Sequence, residues 1–363
     1  MKNEICITGL GTVSKFGRSP DRFFDSLISI DSEICGEDPE LHAYITDIDE
    51  YKKDYIRYFL NLVRDSVYSV LEDWGKSLYG KRGCLIIGTG MGISDIYLNT
   101  EKYKRNDIKN LLYSYLEIPA EIYILSSACS SSAQALEYAV RLLDCDERGY
   151  DYVIAGGAEA FSQIVYNGFL RLNSIDKSGC RPFDKNRRGI YPADGAAFFM
   201  LEKKNESENI YCRIKGICSL NEAYHTTAPY PDGRYIRSVI NSALNDAGLA
   251  AEDIDAVIAH GTGTKLNDKI EAQALLDVFG RICVTSPKGR IGHTGGASGA
   301  FGLLTASMAL QRQCIPHIAN LEECDVDMLI NPVKYNPQNK EINNLLVNCF
   351  AFGGCDAALA VGK

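Results

Sequence analysis

Twice along this chain an apolar, strand-like run ends in a tight turn that carries a reactive side chain, then passes straight into a helix of small residues. The first passage is ILSSACSSSAQALEYAVRLL, with Cys129 in the turn; the second is CVTSPKGRIGHTGGASGAFGLLTASMAL, with His293 in the turn. After Cys129 the positions Ala133, Leu136, Val140 and Leu143 fall on one helical face, while small residues let a helix approach a sheet or another helix closely. A weak internal repeat of this kind predicts two similar βαβ halves whose turns meet at one centre, with the halves joining near Lys203–Asn209.

The rest of the chain agrees with a layered α/β fold. Strands are predicted at EICITGL, CLIIGTG, IYILSSA, YVIAGGA, AAFFMLEK, IYCRIKGICSL, AVIAHGT, ICVTSP and NNLLVNCFAF, and helices over 54–74, 130–144, 233–247, 268–279 and 298–312. No Pro/Gly/Ser-rich linker or low-complexity tract divides the sequence. With 46% hydrophobic residues and 10% aromatics the chain can fill a sizeable core.

Charge and cysteine usage narrow the function. The 38 basic and 47 acidic residues leave a net charge of -9, against a nucleic-acid partner, although a local basic patch could still meet an acidic protein. No apolar run is long enough to span a membrane, and MKNEICITGLGTV has no secretory pattern. The 13 cysteines form no CxxC pair, so no metal framework is expected; they read as reduced thiols of a cytoplasmic protein, most of them small buried residues.

Cys129 stands apart because it lies between a strand and a helix N-terminus, where the dipole and free N–H groups favour a thiolate and can form part of an oxyanion hole. His260 closes the strand AVIAHGTGTKLND, and its loop offers Gly261, Thr262, Gly263 and Thr264 to a ligand; His293 lies in Ile-Gly-His-Thr-Gly-Gly. Two of only five histidines in glycine-rich turns, together with a helix-capping cysteine, make a specific constellation, whereas His42, His225 and His317 have no such context. GTGMG (Gly88, Gly90, Gly92) has GxGxG spacing and lacks the later acidic residue of a dinucleotide site, so crowding at a strand end is the better reading. EKYKRNDIKN (Glu101–Asn110) reads as a solvated basic loop, with docking of an acidic partner as the alternative.

These blocks, in this order, resemble the β-ketoacyl synthases of the thiolase-like superfamily over nearly the whole chain: ITGLGTVSKFG, IIGTGMG, SSACSSS, RPFDKNRRGIYPADGAAFFMLEK, HGTGTKLNDKIEAQAL, SPKGRIGHTGGASGA and NCFAFGGCDAALAV. The resemblance implies a thiolase-like α/β fold with two pseudo-symmetric halves in five α-β-α-β-α layers. Residues 1–205 would carry the nucleophile and 206–363 the two histidines, in one compact unit. It implies that Cys129 takes an acyl group from a carrier protein, and that His260 and His293 stabilise the enolate formed as malonyl carrier loses CO2. Lys288 would orient the site through charge, with Glu271 as a partner and Asp268 as a supporting carboxylate. The backbone N–H of Phe352 would join that of Cys129 in the oxyanion hole while its ring gates the acyl pocket. Thr262 and Thr264 would bind the pantetheine arm. No metal or organic cofactor is implied; an acyl carrier protein is the implied partner, with a second copy or a paralogue completing a dimer.

The Cys-His-His set is similar to elongating synthases; initiating ones carry Asn at the second histidine, and thiolases pair two cysteines with one catalytic histidine. Several positions depart from the pattern. The chain is short before Cys129 and around Asn173–Cys180. Cys355, inside FGGCDAALAV where elongating members carry Thr-Asn, reads as a structural substitution; beyond it, Gly302 replaces a glutamate nine residues after His293, Ala351 replaces a glycine, and Pro192-Ala193-Asp194-Gly195 replaces a Gly-Glu-Gly-type turn. These differences point to a specialised acyl chain, such as a polyene, more than to a different reaction. The alternatives are a non-catalytic partner subunit that shapes a relative's acyl tunnel, or a thiolase or initiating synthase acting on coenzyme A thioesters.

Overall fold

The computed structural model describes residues 3–30, 54–90, 107–145, 147–204, 209–325 and 327–363. Met91, Gly92, residues 101–106 of the basic run and His42 lie outside them. In chain order the strands are β1 (Ile5–Val13), β2 (Gly83–Gly88), β3 (Ala120–Leu125), β4 (Tyr152–Glu159), β5 (Gly195–Lys203), β6 (Cys212–Asn221), β7 (Ala256–Ile258), β8 (Cys283–Thr285), β9 (Cys314–Ile315), β10 (Asn331–Pro332), β11 (Gln338–Asn339), β12 (Asn344–Cys349) and β13 (Cys355–Gly362). The helices are α1 (Pro20–Ile28), α2 (Tyr55–Trp74), α3 (Asp107–Leu116), α4 (Ser131–Cys145), α5 (Gln163–Arg171), α6 (Arg234–Ala247), α7 (Lys265–Phe279), α8 (Lys288–Ile291) and α9 (Ser298–Arg312).

The strand order exposes a duplication. One set runs β1-β5-β4-β2-β3 and the other β6-β13-β12-β7-β8, so each set repeats the same path through its own elements, with β10 added at the second edge. The two sets are hydrogen-bonded into a single eleven-stranded sheet through a short antiparallel pairing of β1 with β6, Ile5 opposite Ile214 and Ile7 opposite Cys212. α4 and α9 follow β3 and β8 in corresponding places.

Strand alternation divides the core into layers. Cys84 and Ile86 of β2 face a central core with Leu136, Val140 and Leu143 of α4 and Leu303 and Leu304 of α9. Leu85 and Ile87 face the other way, against Phe59, Val63, Val67, Val70 and Trp74 of α2. On the far side Ile236, Val239 and Ile240 of α6 and Leu275 of α7 cover Val257, Val284 and Leu346. The sequence is therefore helices, sheet, helices, sheet, helices: the five-layer thiolase-like arrangement. α2 shows why local sequence suffices for an outer layer: Asp54 accepts the Arg57 N–H at its start, an apolar stripe runs along one face, and Gly75 ends it in the left-handed region.

β13, α1, α3 and α5 were not among the predicted elements. β13 reads CDAALAVG, an alanine-rich run with weak strand preference, yet it lies between β12 and β6 with both faces buried. Among the described residues no helix is long and apolar enough to cross a membrane.

Candidate active site

Cys129 occupies a turn held open by its neighbours. Ala128 has φ 51°, a left-handed conformation unusual for a side chain with a Cβ. Serines lock this elbow: Ser130 Oγ donates to the Ser127 carbonyl at 3.0 Å, Ser131 Oγ donates to the Ala128 carbonyl at 2.6 Å, and Ser131 Oγ accepts the Ser127 N–H at 2.9 Å. Ser132 Oγ accepts the Ala300 N–H at 3.0 Å, tying the start of α4 to α9. A Cβ on Gly88 would stand 2.4 Å from the Ser132 nitrogen, so this glycine of GTGMG serves close approach of sheet and helix.

The thiol of Cys129 is half-buried and receives the backbone N–H groups of Phe352 and of Cys129 itself. Its position at a helix N-terminus predicted a thiolate. Instead burial pushes the thiol up to about 11, outweighing the opposite pull of Lys288 and the two N–H groups, with Glu159 adding to the upward shift. At rest the Cys129 side chain is a thiol.

His260 and His293 come together from the ends of β7 and α8, their ring centroids 5.6 Å apart and their planes nearly perpendicular at 86°. They are only 3% and 5% exposed. His293 Nδ1 accepts the Gly295 N–H at 3.1 Å and lies 3.1 Å from Ser298 Oγ. With that acceptor role at Nδ1, the neutral ring carries its proton on Nε2. Lys288 Nζ donates to the His260 carbonyl at 2.5 Å and stands 3.4 Å from His260 Nδ1, which fixes the same tautomer. Burial, reinforced by Lys288, holds His293 down at about 3; burial, Lys288 and His293 together hold His260 well below the ordinary histidine range. Both rings are neutral Nε2–H donors at physiological pH.

The two acids behind the HGTGT loop collect its backbone donors. Glu271 accepts the His260 and Gly261 N–H groups at 2.8 Å each, and Asn348 Nδ2 at 3.1 Å. Asp268 accepts Phe183 N–H at 2.8 Å, Thr262 N–H at 3.0 Å and Gly263 N–H at 3.1 Å. Burial nevertheless pushes both carboxyls up. Buried Arg187 approaches Asp268 at 3.9 Å while pairing with Asp325 at 2.8 Å. Thr262 and Thr264 face one another, hydroxyl to hydroxyl at 3.0 Å, and Thr264 caps α7.

Two cavities meet at Cys129. One, of about 190 Å³, is lined by Cys129, His260, His293, Thr262, Thr264 and Phe352 among others. The second, of about 380 Å³, runs from Cys129 and His293 along Phe161, Ile164, Val165 and Leu172 and is almost wholly apolar. Phe352 lines both and packs on Phe169 with centroids 5.4 Å apart. The chain thus presents an approach that carries threonine and histidine side chains and an apolar pocket on either side of one thiol.

All nine residues singled out from sequence fall in or directly behind these cavities. Sequence reasoning missed Phe169, Arg187 and three acids, Glu159, Glu222 and Asp356. Glu159 accepts the Gly90 N–H at 2.7 Å and the Gly296 N–H at 2.6 Å, bridging the first half to the His293 turn. An acidic residue closing the apolar strand YVIAGGAE was the available signal. The departures also find physical places. A Cβ on Gly302 would lie 2.7 Å from Val347 Cγ1, so a larger side chain there requires Val347 to shift. Ala351 is not in the left-handed region, so its Cβ is accommodated. Asp194 is buried, accepts the Tyr58 hydroxyl, and is pushed up to about 8 by burial. His225, given no role, uses Nδ1 to accept the Thr227 and Ala228 N–H groups at 3.1 Å each.

Comparison with known proteins follows the same lines. Residues 75–207 match the beta-ketoacyl synthase N-terminal domain and residues 211–322 the C-terminal domain. Nodulation protein E of Rhizobium meliloti is 33% identical over 254 residues, 68% of this chain and 62% of that protein, so the match spans less than two thirds of that relative. The 3-oxoacyl-[acyl-carrier-protein] synthase 2 of Mycobacterium tuberculosis is 32% identical over 280 residues, covering 73% of this chain and 67% of that one. Among solved structures, the ishigamide ketosynthase/chain length factor aligns over 100% of both chains with a TM-score of 0.84 at 24% identity, a likeness of fold. On matched domains, relatives and fold together, this chain belongs to the β-ketoacyl synthase family of condensing enzymes.

Proposed function

We propose that the chain catalyses decarboxylative condensation of an acyl thioester with a malonyl thioester, both delivered on an acyl carrier protein. The observation that carries this reading is one thiol at the junction of a cavity lined with threonines and histidines and an apolar one, faced by two neutral histidines. In the first half-reaction the Cys129 sulfur attacks the carrier thioester carbonyl; the thiol proton leaves with the carrier sulfur, giving acyl-Cys129 and free carrier thiol. The oxyanion formed on the way is met by the Phe352 and Cys129 N–H groups. In the second, malonyl carrier loses CO2, and the enolate oxygen that develops is met by the Nε2–H groups of His260 and His293. The enolate carbon then attacks acyl-Cys129, a carbon–carbon bond forms, and the Cys129 sulfur leaves and regains a proton. The steps need neither a metal nor an organic cofactor.

The apolar cavity suits the acyl chain and the threonine-lined one the pantetheine arm. The names of relatives support a carrier protein as partner, and the ketosynthase/chain length factor neighbour supports a paired assembly with a second copy or a paralogue. The pathway we infer is a specialised one, such as polyene synthesis. Intact mass after incubation with acyl-loaded carrier tests the core reading: wild type gains the acyl mass, Cys129→Ala does not, and malonyl carrier then yields the extended product. No gain with short, long or unsaturated acyl groups would overturn it in favour of a non-catalytic partner subunit. Equal rates on ordinary saturated chains would remove the specialised pathway alone.

A further inference from the structure

A carboxylate stands inside the apolar cavity. Glu159 closes β4, is 7% exposed, and lines that cavity with Cys129 and His293 among side chains such as Phe161, Val165 and Leu172. Its Oε2 accepts the Gly90 N–H at 2.7 Å and the Gly296 N–H at 2.6 Å, and Thr89 Oγ1 lies 3.5 Å from Oε1. Two short backbone donors on one oxygen support the charged form and fix its place. The glycines beside it leave it that place: a Cβ on Gly90 would stand 2.7 Å from Oε2 and 3.3 Å from the Ala128 carbonyl, and one on Gly295, at φ 48°, would stand 2.8 Å from Oε2. The carboxylate is thus wedged between the Cys129 turn and the His293 turn. Its charge reaches the thiol, since Glu159 adds to the upward shift of Cys129.

We propose that Glu159 is a specificity-determining residue: it bars acyl groups that carry a carboxylate from Cys129, so that neutral acyl chains load the thiol and the malonyl group stays on its carrier. This deepens the proposed function and rests on Cys129 being the acylated residue for its consequence with acyl carriers. Two like charges in a cavity poor in water repel with little screening. An anionic acyl group entering there would also give up its hydration with no cation in return, because no lysine or arginine is among the described residues lining the cavity. Lys288 is turned to the His260 carbonyl at 2.5 Å and lines neither cavity. Glu159 does not line the threonine-bearing cavity, whose acids Glu222 and Asp356 are both pushed up by burial. A malonyl carboxylate brought to the histidines from that side stays out of the Glu159 pocket. The charge therefore separates the two half-reactions instead of opposing both.

The test uses two pairs of probes that match in shape and differ in charge. Succinyl and 4-methylpentanoyl groups on an acyl carrier are compared by intact mass. Iodoacetate and iodoacetamide are compared by peptide mass at Cys129, with exposed Cys145 of the same chain as the reference for intrinsic reactivity. Within each enzyme the anionic-to-neutral rate ratio cancels any change in thiol acidity or in packing of the turns. In wild type the ratio at Cys129 should be about tenfold or more below that at Cys145, and succinyl should load about tenfold or more slowly than 4-methylpentanoyl. E159Q should raise both ratios by about the same factor, whereas E159D, which keeps the charge on a shorter arm, should leave them low. A wild-type alkylation ratio equal to that of Cys145, or ratios that E159Q does not move, overturns the proposal; if E159Q does not fold, the wild-type comparison decides alone. Alkylation needs no acyl transfer. Wild type that takes no acyl group from any carrier therefore overturns the Cys129 reading, while the alkylation ratio still decides the role of Glu159.

Discussion

Removing His293 should separate the two half-reactions. Its Nδ1 accepts the Gly295 N–H at 3.1 Å, which leaves Nε2–H as the group available to substrate. With the ring held at about 3 by burial and Lys288, it is a neutral donor across the working pH range and has no proton to gain from the thiol that it would keep. His293→Ala therefore deletes one of two donors to the developing enolate. Loss of one preorganised donor costs about 2.7–4 kcal/mol, a fall of roughly 10²–10³ in the condensation rate. Acylation of Cys129, served by the Phe352 and Cys129 N–H groups, should be unchanged. His293→Asn keeps an N–H donor on a shorter arm and should fall between Ala and wild type. Release of CO2 from malonyl carrier by acylated enzyme reads the second half-reaction, and intact mass reads the first. Wild-type decarboxylation should also run flat from about pH 5 to 7, because a ring depressed to about 3 does not protonate there. The reasoning fails if Ala slows acylation as much as condensation, or if the rate drops through the ordinary histidine range near pH 6.5.

Three further outcomes follow from the same geometry. Glu271→Ala strands the His260 and Gly261 N–H groups and the Asn348 amide in a buried site, and should lower stability by about 2–4 kcal/mol in urea unfolding, with Glu271→Gln losing less. Gly302→Ala forces a Cβ within 2.7 Å of Val347 Cγ1 and should cost about 1–3 kcal/mol by the same assay; an unchanged midpoint would show that β12 yields freely. Alkylation of Cys129 should accelerate about tenfold per pH unit from 7 to 10, since the thiol lies up at about 11, and Lys288→Met should slow it at every pH by removing the cation that lowers it. A plateau below pH 8 would show a thiolate already formed.

What the sequence made legible depended on how local the physics was. Cys129, His260 and His293 each follow a strand-like run and precede a turn or helix of small residues, so neighbours along the chain mark them. α2, α4 and α6 were readable because each carries an apolar stripe along one buried face; α5 was not, because none of its residues is buried and its apolar side chains line a cavity rather than a core. β7 stops at Ile258, short of the end of the apolar run AVIAHGT, because the His260 and Gly261 N–H groups go to Glu271 rather than to a strand and Gly261 turns with φ 43°. Glu159 gave only a faint local signal, an acid closing an apolar strand, because its partner Gly296 lies 137 residues away. Glu222 and Asp356 likewise stand in different segments and only the closed sheet brings them together. The thiolate expectation failed for a related reason: a helix N-terminus is visible in sequence, but the desolvation that outweighs it is not.

The buried acids also explain how so many turns can crowd one centre. A turn that leaves a strand gives up ladder partners, and its N–H groups need acceptors that the sheet does not supply. Glu271 takes those of His260 and Gly261, Asp268 those of Thr262 and Gly263, and Glu159 those of Gly90 and Gly296. Each acid accepts more than one donor, which supports its charge against the burial that pushes Glu271 and Asp268 up. The N–H groups of Phe352 and Cys129 are directed differently: they meet the thiol, a weak acceptor. They gain most when an oxyanion replaces that poor partner, so the donors held by the weakest acceptor at rest are those the proposed reaction would use.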